Sequence, residues 1–294
     1  MKIYWTIKTN QFFFHIFLLT FLFLSCGIPN DEPVLKSPLI TSSIYEDASG
    51  ATFVNEPVTG DDYSKEYAKG YNFYYRIYSE SQYLNLGSTT KDKEERILKE
   101  AVAKLTQANQ IQMISYATAG ANKFDAYFKM IKLDDINNFS EKDLSQNHTI
   151  APPTDFEESG EHVKVEYEVE FPSDSNGFMF SVVKKSRANQ PISNPQKEFF
   201  FRRVYDPKSD INSSYAAPKG WGDFGYRDNL TTGKIIPDED ISKTEIEPIT
   251  SKNYYYIAYF VSVTGFWATQ LKQLYSDVSL LGIQKVQREL NLIQ

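Results

Sequence analysis

The segment that decides the fold is VKVEYEVEF, residues 163–171. Apolar side chains alternate with Lys and Glu along its whole length, and a period of two is typical of a β-strand with one face in water. The turn sequence SDSNG follows at 173–177, and a second apolar run begins at Phe178. We therefore predict a β-hairpin whose second strand covers 178–184.

Three glutamates, Glu166, Glu168 and Glu170, share the wet face of this first strand. We expect them to form a solvated surface, because like charges on a flat face lack the surrounding oxygens that calcium prefers. The chain has a single cysteine, which excludes an internal disulfide framework and a multi-cysteine metal site. We therefore expect no metal ion and no other cofactor.

Four more runs predict strands, at 71–78, 198–205, 254–264 and 274–283. The run at 254–264 is apolar on both faces, which indicates a central strand buried on both sides. The stretch 124–133 fits either a helix or a strand. The segment 206–253 is rich in Asp, Pro, Gly, Ser and Asn, and we expect a long loop there.

One helix is predicted over 92–109. Asp92 and Glu95 have the spacing of a capping box at its start. On its outer side, Glu95 and Glu100 precede Lys99 and Lys104 by four residues, the spacing of favourable ion pairs. Its apolar stripe is formed by Ile97, Leu98, Ala101, Val102 and Leu105.

The first 25 residues differ from the rest of the chain. Lys2 and Lys8 form a basic head without acids, an apolar run covers 12–24, and Ser25 and Cys26 follow. This arrangement is typical of a secretory signal peptide. The apolar run is shorter than the roughly 20 residues that a membrane span requires. An uncleaved N-terminal anchor helix is the alternative interpretation.

The segment LFLSC at 22–26 resembles the lipobox of bacterial lipoproteins. Phe23 stands where Leu is usual, with Leu22 one place further out, and this looser form is similar to spirochaete lipoproteins, leptospiral ones in particular. The resemblance implies removal of the signal peptide 1–25 and a diacylglyceryl group on the sulfur of Cys26. It implies an exported protein held by lipid to the cell envelope, with the outer membrane or cell surface favoured over the inner membrane.

The stretch 26–38 that follows carries Pro29, Pro33 and Pro38 and lacks apolar periodicity, so we interpret it as a lipidated tether. The body is then 39–294. Its 71–79 run resembles the third strand of a fibronectin type III domain, and Tyr255, Ile257, Tyr259 and 276–278 resemble the last two strands. The resemblance implies a mainly β, immunoglobulin/fibronectin III-like sandwich with a helical insertion and a long loop, or two sandwiches in series.

Charge and motifs exclude several functions. The net charge is −7 and the pI is about 5.2, so we expect no nucleic-acid partner, which would need a basic surface. The sequence 220–225 has the form GxGxxG, but no buried strand precedes it and no helix follows. We therefore expect no nucleotide partner.

The same glycine-rich stretch contains three aromatic residues, Trp221, Phe224 and Tyr226. Aromatic side chains exposed on loops bind glycans, peptides or proteins, so we take these three as candidate ligand-binding residues. The alternative is that they fold back and seal the edge of the sandwich.

We predict no catalytic residues. The two histidines of the mature chain, His148 and His162, lie in polar stretches, and the chain contains neither a nucleophile elbow nor a zinc-helix motif. The sequence therefore favours a lipid-anchored, non-enzymatic binding module. An envelope structural or assembly factor is the alternative, and a hydrolase that uses carboxylates distant in sequence is a third hypothesis.

Overall fold

Two β-sheets form the frame of the protein. The computed structural model describes residues 33–43, 45–46, 50–55, 67–110, 128–133, 165–172, 179–187, 190–193, 197–201, 203–204, 218–219, 228–229, 234–235 and 254–287. The chain from Val34 to Gln294 belongs to one compact unit. The described part is mainly β, as the sequence predicts.

Sheet I is antiparallel throughout. Its strands lie in the order β1 (Leu39–Ser42), β3 (Gly50–Asn55), β7 (Val165–Glu170), β8 (Met179–Arg187), β10 (Lys197–Phe201) and β6 (Lys132–Leu133), and β9 (Gln190–Pro191) pairs with β8.

Sheet II is antiparallel except for its first pair of strands, which is parallel. The order is β2 (Tyr45–Glu46), β17 (Ser279–Gln287), β15 (Tyr254–Trp267), β4 (Ala68–Ser79) and β5 (Lys129–Met130), and β16 (Lys272–Tyr275) also pairs with β15.

The remaining elements are short strands and helices. Two ribbons consist of β11 (Arg203–Val204) with β12 (Pro218–Lys219), and β13 (Asp228–Asn229) with β14 (Lys234–Ile235). Helices α1 (Glu80–Leu84) and α2 (Thr90–Lys104) follow β4, and a 3-10 turn (Ala268–Gln270) joins β15 to β16.

The predicted hairpin is confirmed in its described part. Val165, Tyr167 and Val169 are buried, and β7 pairs with β8 in antiparallel register, with Val169 opposite Val182. The turn at 173–177 lies outside the described residues.

Strand β15 is central and buried on both faces, as its composition predicts. On one side, Ile257, Tyr259 and Val261 join side chains of sheet I in an inter-sheet core. On the other side, Ala258 and Phe260 belong to a helix-side core beneath α2. The fold therefore stacks sheet I, sheet II and a helix layer, and β15 lies in the middle layer.

The helix prediction was wrong at both ends. Thr89 caps α2 through two hydrogen bonds. The Thr89 hydroxyl accepts a hydrogen bond from the Asp92 amide, and the Asp92 carboxylate accepts one from the Thr89 amide. The helix ends at Lys104, and a separate helical turn covers 107–110. Of the predicted apolar stripe, Val102 is exposed, so the buried contact is narrower than expected.

Helix α2 is joined to sheet II by an ion pair between Glu100 and Arg76 of β4. The Arg76 guanidinium also lies 4.4 Å from the centre of the Tyr78 ring and 5.1 Å from that of Phe128. The outer-face ion pair that the structure gives for Glu95 is with Lys91, at 3.9 Å. Pairing of Glu100 with the sheet replaces the local pairing with Lys104 that the sequence predicts.

Strand pairing resolves the one ambiguous stretch in part and corrects one strand prediction. Part of 124–133 is extended: β5 pairs with sheet II and β6 with sheet I, so this stretch passes from one sheet to the other. The predicted strand at 274–283 is split into β16 and β17. The Ser276 hydroxyl accepts a hydrogen bond from the Val263 amide at 2.8 Å. This side-chain bond lies between the two strands and interrupts the backbone hydrogen bonding along β15.

A buried glutamine fixes the 107–110 turn to sheet II. Gln110 is fully buried, and its Oε1 accepts from the hydroxyls of Tyr74 and Ser262, each at 2.8 Å. Its Nε2 donates to the carbonyl oxygens of Leu105 at 2.8 Å and Ser276 at 3.1 Å. Truncation of the Gln110 side chain would therefore remove one hydrogen bond from each of these four partner groups.

We predict that Gln110→Ala lowers the free energy of unfolding by about 2–4 kcal/mol, because each buried polar group left without a partner costs roughly 1–3 kcal/mol. Urea unfolding of the full chain measures this. The control is Gln107→Ala, because the Gln107 side chain is only partly buried and its bond to the Gln273 carbonyl, at 3.2 Å, is exposed. Equal losses in the two variants would contradict the role assigned to Gln110.

Candidate functional site

The residues that the sequence assigns to lipidation and ligand binding lie outside the described residues, and so do the histidines of the mature chain. This applies to Cys26, to the aromatic trio Trp221, Phe224 and Tyr226, and to both histidines of the mature chain. Their roles therefore stay predictions, and the candidate site below is built from described residues alone.

The glutamate face of β7 has a partner for each carboxylate. Glu170 accepts from the Ser181 hydroxyl at 2.9 Å, and Glu166 accepts from the Ser186 hydroxyl at 3.1 Å. Glu168 lies 3.4 Å from the Lys185 ammonium. These are cross-strand pairs that stabilise the β7–β8 hairpin. Within the described part of the chain, no group of three His, Cys, Asp or Glu residues is placed to hold a metal ion.

A different group of side chains forms a more distinctive surface, at the end of sheet II where β15 begins. We call it the tyrosine cluster, and it consists of Tyr83, Tyr254, Tyr256, Lys93 and Lys285. The rings of Tyr83 and Tyr256 stack with centroids 3.8 Å apart and planes 14° apart. The Lys93 ammonium lies 4.4 Å from the Tyr83 centroid, and the Lys285 ammonium lies 4.2 Å from the Tyr254 centroid.

Local sequence explains why Tyr83 meets Tyr256. Strand β4 ends at Ser79, which caps α1 by a capping box with Gln82, so the chain turns sharply over the end of the sheet. Tyr83, the one buried residue of α1, then lies on the Tyr256 ring. The cap at Thr89 starts α2 at a point where Lys93, in its first turns, reaches the other face of Tyr83.

The carboxylate of Glu46 adds negative charge beside the stacked rings. Burial first, and then the field of Glu46, raise the pKa of Tyr83. Burial first, and then Glu46 and Glu80, raise the pKa of Tyr256 to about 12. Glu46 itself has a backbone φ of 66°, in the left-handed region that few residues other than glycine adopt. A strained residue at this position is consistent with a functional surface.

The tyrosine cluster combines buried rings with side chains that solvent can reach. Tyr83 and Tyr256 are buried, whereas Tyr254, Lys93 and Lys285 are partly exposed. A fixed aromatic face beside an ammonium group can stack on a sugar ring or on an aromatic side chain, and it can pair with a carboxylate. Such groups are frequent among the residues that dominate binding energy at protein interfaces.

Sequence reasoning missed this site. Tyr254 and Tyr256 lie in a run interpreted only as a buried strand, and Tyr83 lies more than 170 positions away in the chain. The one local signal is the sequence YYY at 254–256, where a polar-tipped aromatic residue recurs on both faces of the strand.

Comparison of the chain with protein-family models, with curated proteins and with solved structures finds no match. Of the helices within the described ranges, none has the length and apolar character needed to cross a membrane.

We predict that alkaline pH destabilises the protein through its buried tyrosines. Tyrosine in an unfolded chain has a pKa of about 10. Folding raises the pKa of Tyr256 to about 12. The stability that protonated Tyr256 contributes is therefore fully present below the pKa of the unfolded chain, and it is lost as pH rises through the pKa of the folded protein. Burial also raises the pKa values of Tyr74, Tyr78 and Tyr275.

Phenolate absorbance and urea unfolding, measured together at increasing pH, test this prediction. The absorbance contributed by the buried tyrosines should rise with unfolding rather than before it, and Tyr256→Phe should reduce the alkaline loss of stability. Titration of all tyrosines near pH 10 in a protein that stays folded would contradict it.

Proposed function

We propose that the protein is an exported lipoprotein, anchored by a lipid on Cys26, that acts as a non-enzymatic binding module of the cell envelope. The anchor is supported by the basic head, the 12–24 apolar run and the directly following cysteine. Two or more acyl chains give stable attachment, since each buried CH₂ contributes about 0.8 kcal/mol. The outer membrane or cell surface is the proposed location.

The observation that carries the binding role is the pair formed by Tyr254 and Lys285, both partly exposed, on the buried Tyr83–Tyr256 stack. Tyr254 packs against the helix-side core that contains this stack, so its ring is held in place and little side-chain entropy is lost when a ligand binds. A glycan, or a protein segment with aromatic and acidic side chains, has the chemistry that this surface recognises. Trp221, Phe224 and Tyr226 are proposed as further ligand contacts.

We further propose that the sandwich belongs to the immunoglobulin/fibronectin III-like class. The order β17–β15–β4 supports this, because in that class the last, sixth and third strands are neighbours in this order. Sheet I departs from the class. In sheet I, β7 lies between β3 and β8, and β7 comes before β8 in the chain. In the immunoglobulin class the strand next to the second strand is the fifth, and the fourth strand lies on its other side, so the chain order of these two positions is reversed.

The second candidate function is an envelope structural or assembly factor whose partner is another membrane protein. Cross-linking in intact cells separates an assembly factor from a module that binds a glycan, because the assembly factor gives one stoichiometric protein adduct whereas a glycan ligand gives none. A carboxylate hydrolase remains the third hypothesis.

The anchor is tested by mass spectrometry of the protein extracted from bacterial membranes. The expected N-terminal peptide begins at an acylated Cys26, and Cys26→Ser should give an unprocessed, unacylated chain. A native chain with an unmodified sulfur, or one still carrying residues 1–25, would overturn the proposal.

The binding role is tested by screening the acylated full-length protein, in detergent, against glycan and peptide arrays. For any ligand found, Tyr254→Ala should weaken binding at least about tenfold, the scale of a binding hot spot. Tyr255→Ala is the matched control, because Tyr255 is also partly exposed but packs against the inter-sheet core on the opposite face of β15. Absence of any ligand, or unchanged binding in Tyr254→Ala, would contradict this site.

A further inference from the structure

The hairpin between β15 and β16 exposes a large apolar side chain at its tip. We call residues 267–272 the hairpin tip. Leu271 has a backbone φ of 50° and is 80% exposed, the largest exposure among the large hydrophobic residues of the described ranges. Left-handed backbone costs a residue with a side chain roughly 1–2 kcal/mol, so the hairpin holds an apolar side chain in solvent at an energetic cost. Trp267, at the base of the tip, is partly exposed and packs on the inter-sheet core.

The N-terminal part of the body lies beside the base of this tip. Leu35 is buried, and a Cβ added to Gly265 would lie 3.0 Å from the Leu35 Cδ1. Two residues later, the Ser37 hydroxyl donates to the Asp277 carbonyl oxygen at 2.8 Å. Val34, immediately before the buried leucine, is 77% exposed. The chain therefore enters the sandwich at the hairpin end of sheet II.

Chain length limits how far this end can lie from an anchor. Leu35 lies nine positions after Cys26, and at about 3.4 Å for each step this stretch spans at most about 30 Å. The opposite end of sheet II is separated from this entry point by the length of β4, whose twelve residues run from Ala68, opposite Gly265, to Ser79, opposite Tyr255. At about 3.3 Å per residue, β4 alone adds about 40 Å.

The charges at the hairpin end also differ from those of the whole chain. In the segments 34–38 and 266–273 the charged residues are Lys36 and Lys272, both basic. The net charge of the chain is −7, and removal of Lys2 and Lys8 with the signal peptide makes it −9. Two acids, Asp31 and Glu32, precede Val34 in the sequence and lie outside the described residues, and the exposed Asp277 contacts Ser37 through its backbone carbonyl. Trp, Leu and Lys together are the residue types that favour a membrane–water interface.

We propose that the hairpin tip, together with Val34, is a membrane-docking surface that enters the headgroup region of the bilayer carrying the lipid anchor. The proposal rests on the proposed anchor at Cys26. Docking orients the sandwich with the β15–β16 hairpin towards the bilayer. The tyrosine cluster, at the opposite end of sheet II, then faces away from the membrane, where a soluble or cell-surface ligand can reach it.

The test uses the full-length acylated protein in vesicles, with its acylation verified by mass spectrometry. Because acylation occupies the sulfur of Cys26, Leu271→Cys provides a single free thiol for an environment-sensitive fluorophore. Leu84→Cys is the matched control, since Leu84 is also an exposed leucine (55%) and lies beyond the far end of β4. Vesicles with and without spin-labelled lipids report contact with lipid directly.

The expected result is a shift of emission to shorter wavelength at position 271, with quenching by spin-labelled lipids, and neither effect at position 84. A second probe avoids any change at the tip: Trp221→Phe leaves Trp267 as the only tryptophan after residue 26, and spin-labelled lipids should quench it.

Other outcomes overturn the proposal in distinguishable ways. An acylated protein whose position 271 stays in water contradicts docking but leaves the anchor intact. A blue shift without lipid quenching indicates contact with a second copy or another protein instead of lipid, and effects at both positions indicate adsorption without orientation. A chain that carries no acyl group contradicts the proposed function itself.

Discussion

Burial of β15 on both faces is the constraint on which the rest of the structure depends. A strand that is apolar on both sides needs an apolar layer against each face. Sheet I provides one layer, through side chains such as Phe180 and Val169, and α2 provides the other, through Ile97 and Ala101. The three-layer order follows from this single strand, and so does the position of both candidate surfaces, because each lies at one end of it.

Polar groups inside this framework connect the layers at specific points. Gln110 joins the helix layer to β4 and β15, and the Arg76–Glu100 pair joins α2 to the same sheet. On the other face, the Tyr259 hydroxyl donates to Gln284, whose Nε2 donates to the Pro172 carbonyl of the sheet I side. Buried hydrogen bonds of this kind specify register more than they add stability, because each replaces a bond to water.

The sequence predicts the elements whose signals are local. Alternation reveals β7, and continuous apolarity reveals β15, because both patterns lie within a dozen residues. The start of α2 is predicted at Asp92 because its spacing to Glu95 is that of a capping box, whereas the box that forms has the same spacing one turn earlier, between Thr89 and Asp92. Glu100 has a helical partner by spacing but pairs with Arg76 of β4, a contact that no local pattern contains.

The candidate site was less predictable than the fold for the same reason. Tyr83 and Tyr256 meet because Ser79 turns the chain over the end of sheet II, and their separation in sequence hides the contact. The position of the hairpin tip likewise follows from a contact distant in sequence, because Leu35 packs beside Gly265 and so places the N-terminal part of the body at the base of the tip. Both surfaces therefore derive from the ends of the central strand rather than from a motif.

Native-state hydrogen exchange on the full-length protein tests the central claim most directly. The amides of β15 that pair with β4 and β17 should exchange most slowly, with an opening free energy equal to that of global unfolding. Strands at the sheet margins, such as β1 and β16, should exchange earlier. If the β15 amides exchanged as fast as those of β1 and β16, β15 would not be the strand that the inter-sheet core and the helix-side core have in common. The account of the fold, and of the two surfaces at the ends of β15, would then be wrong.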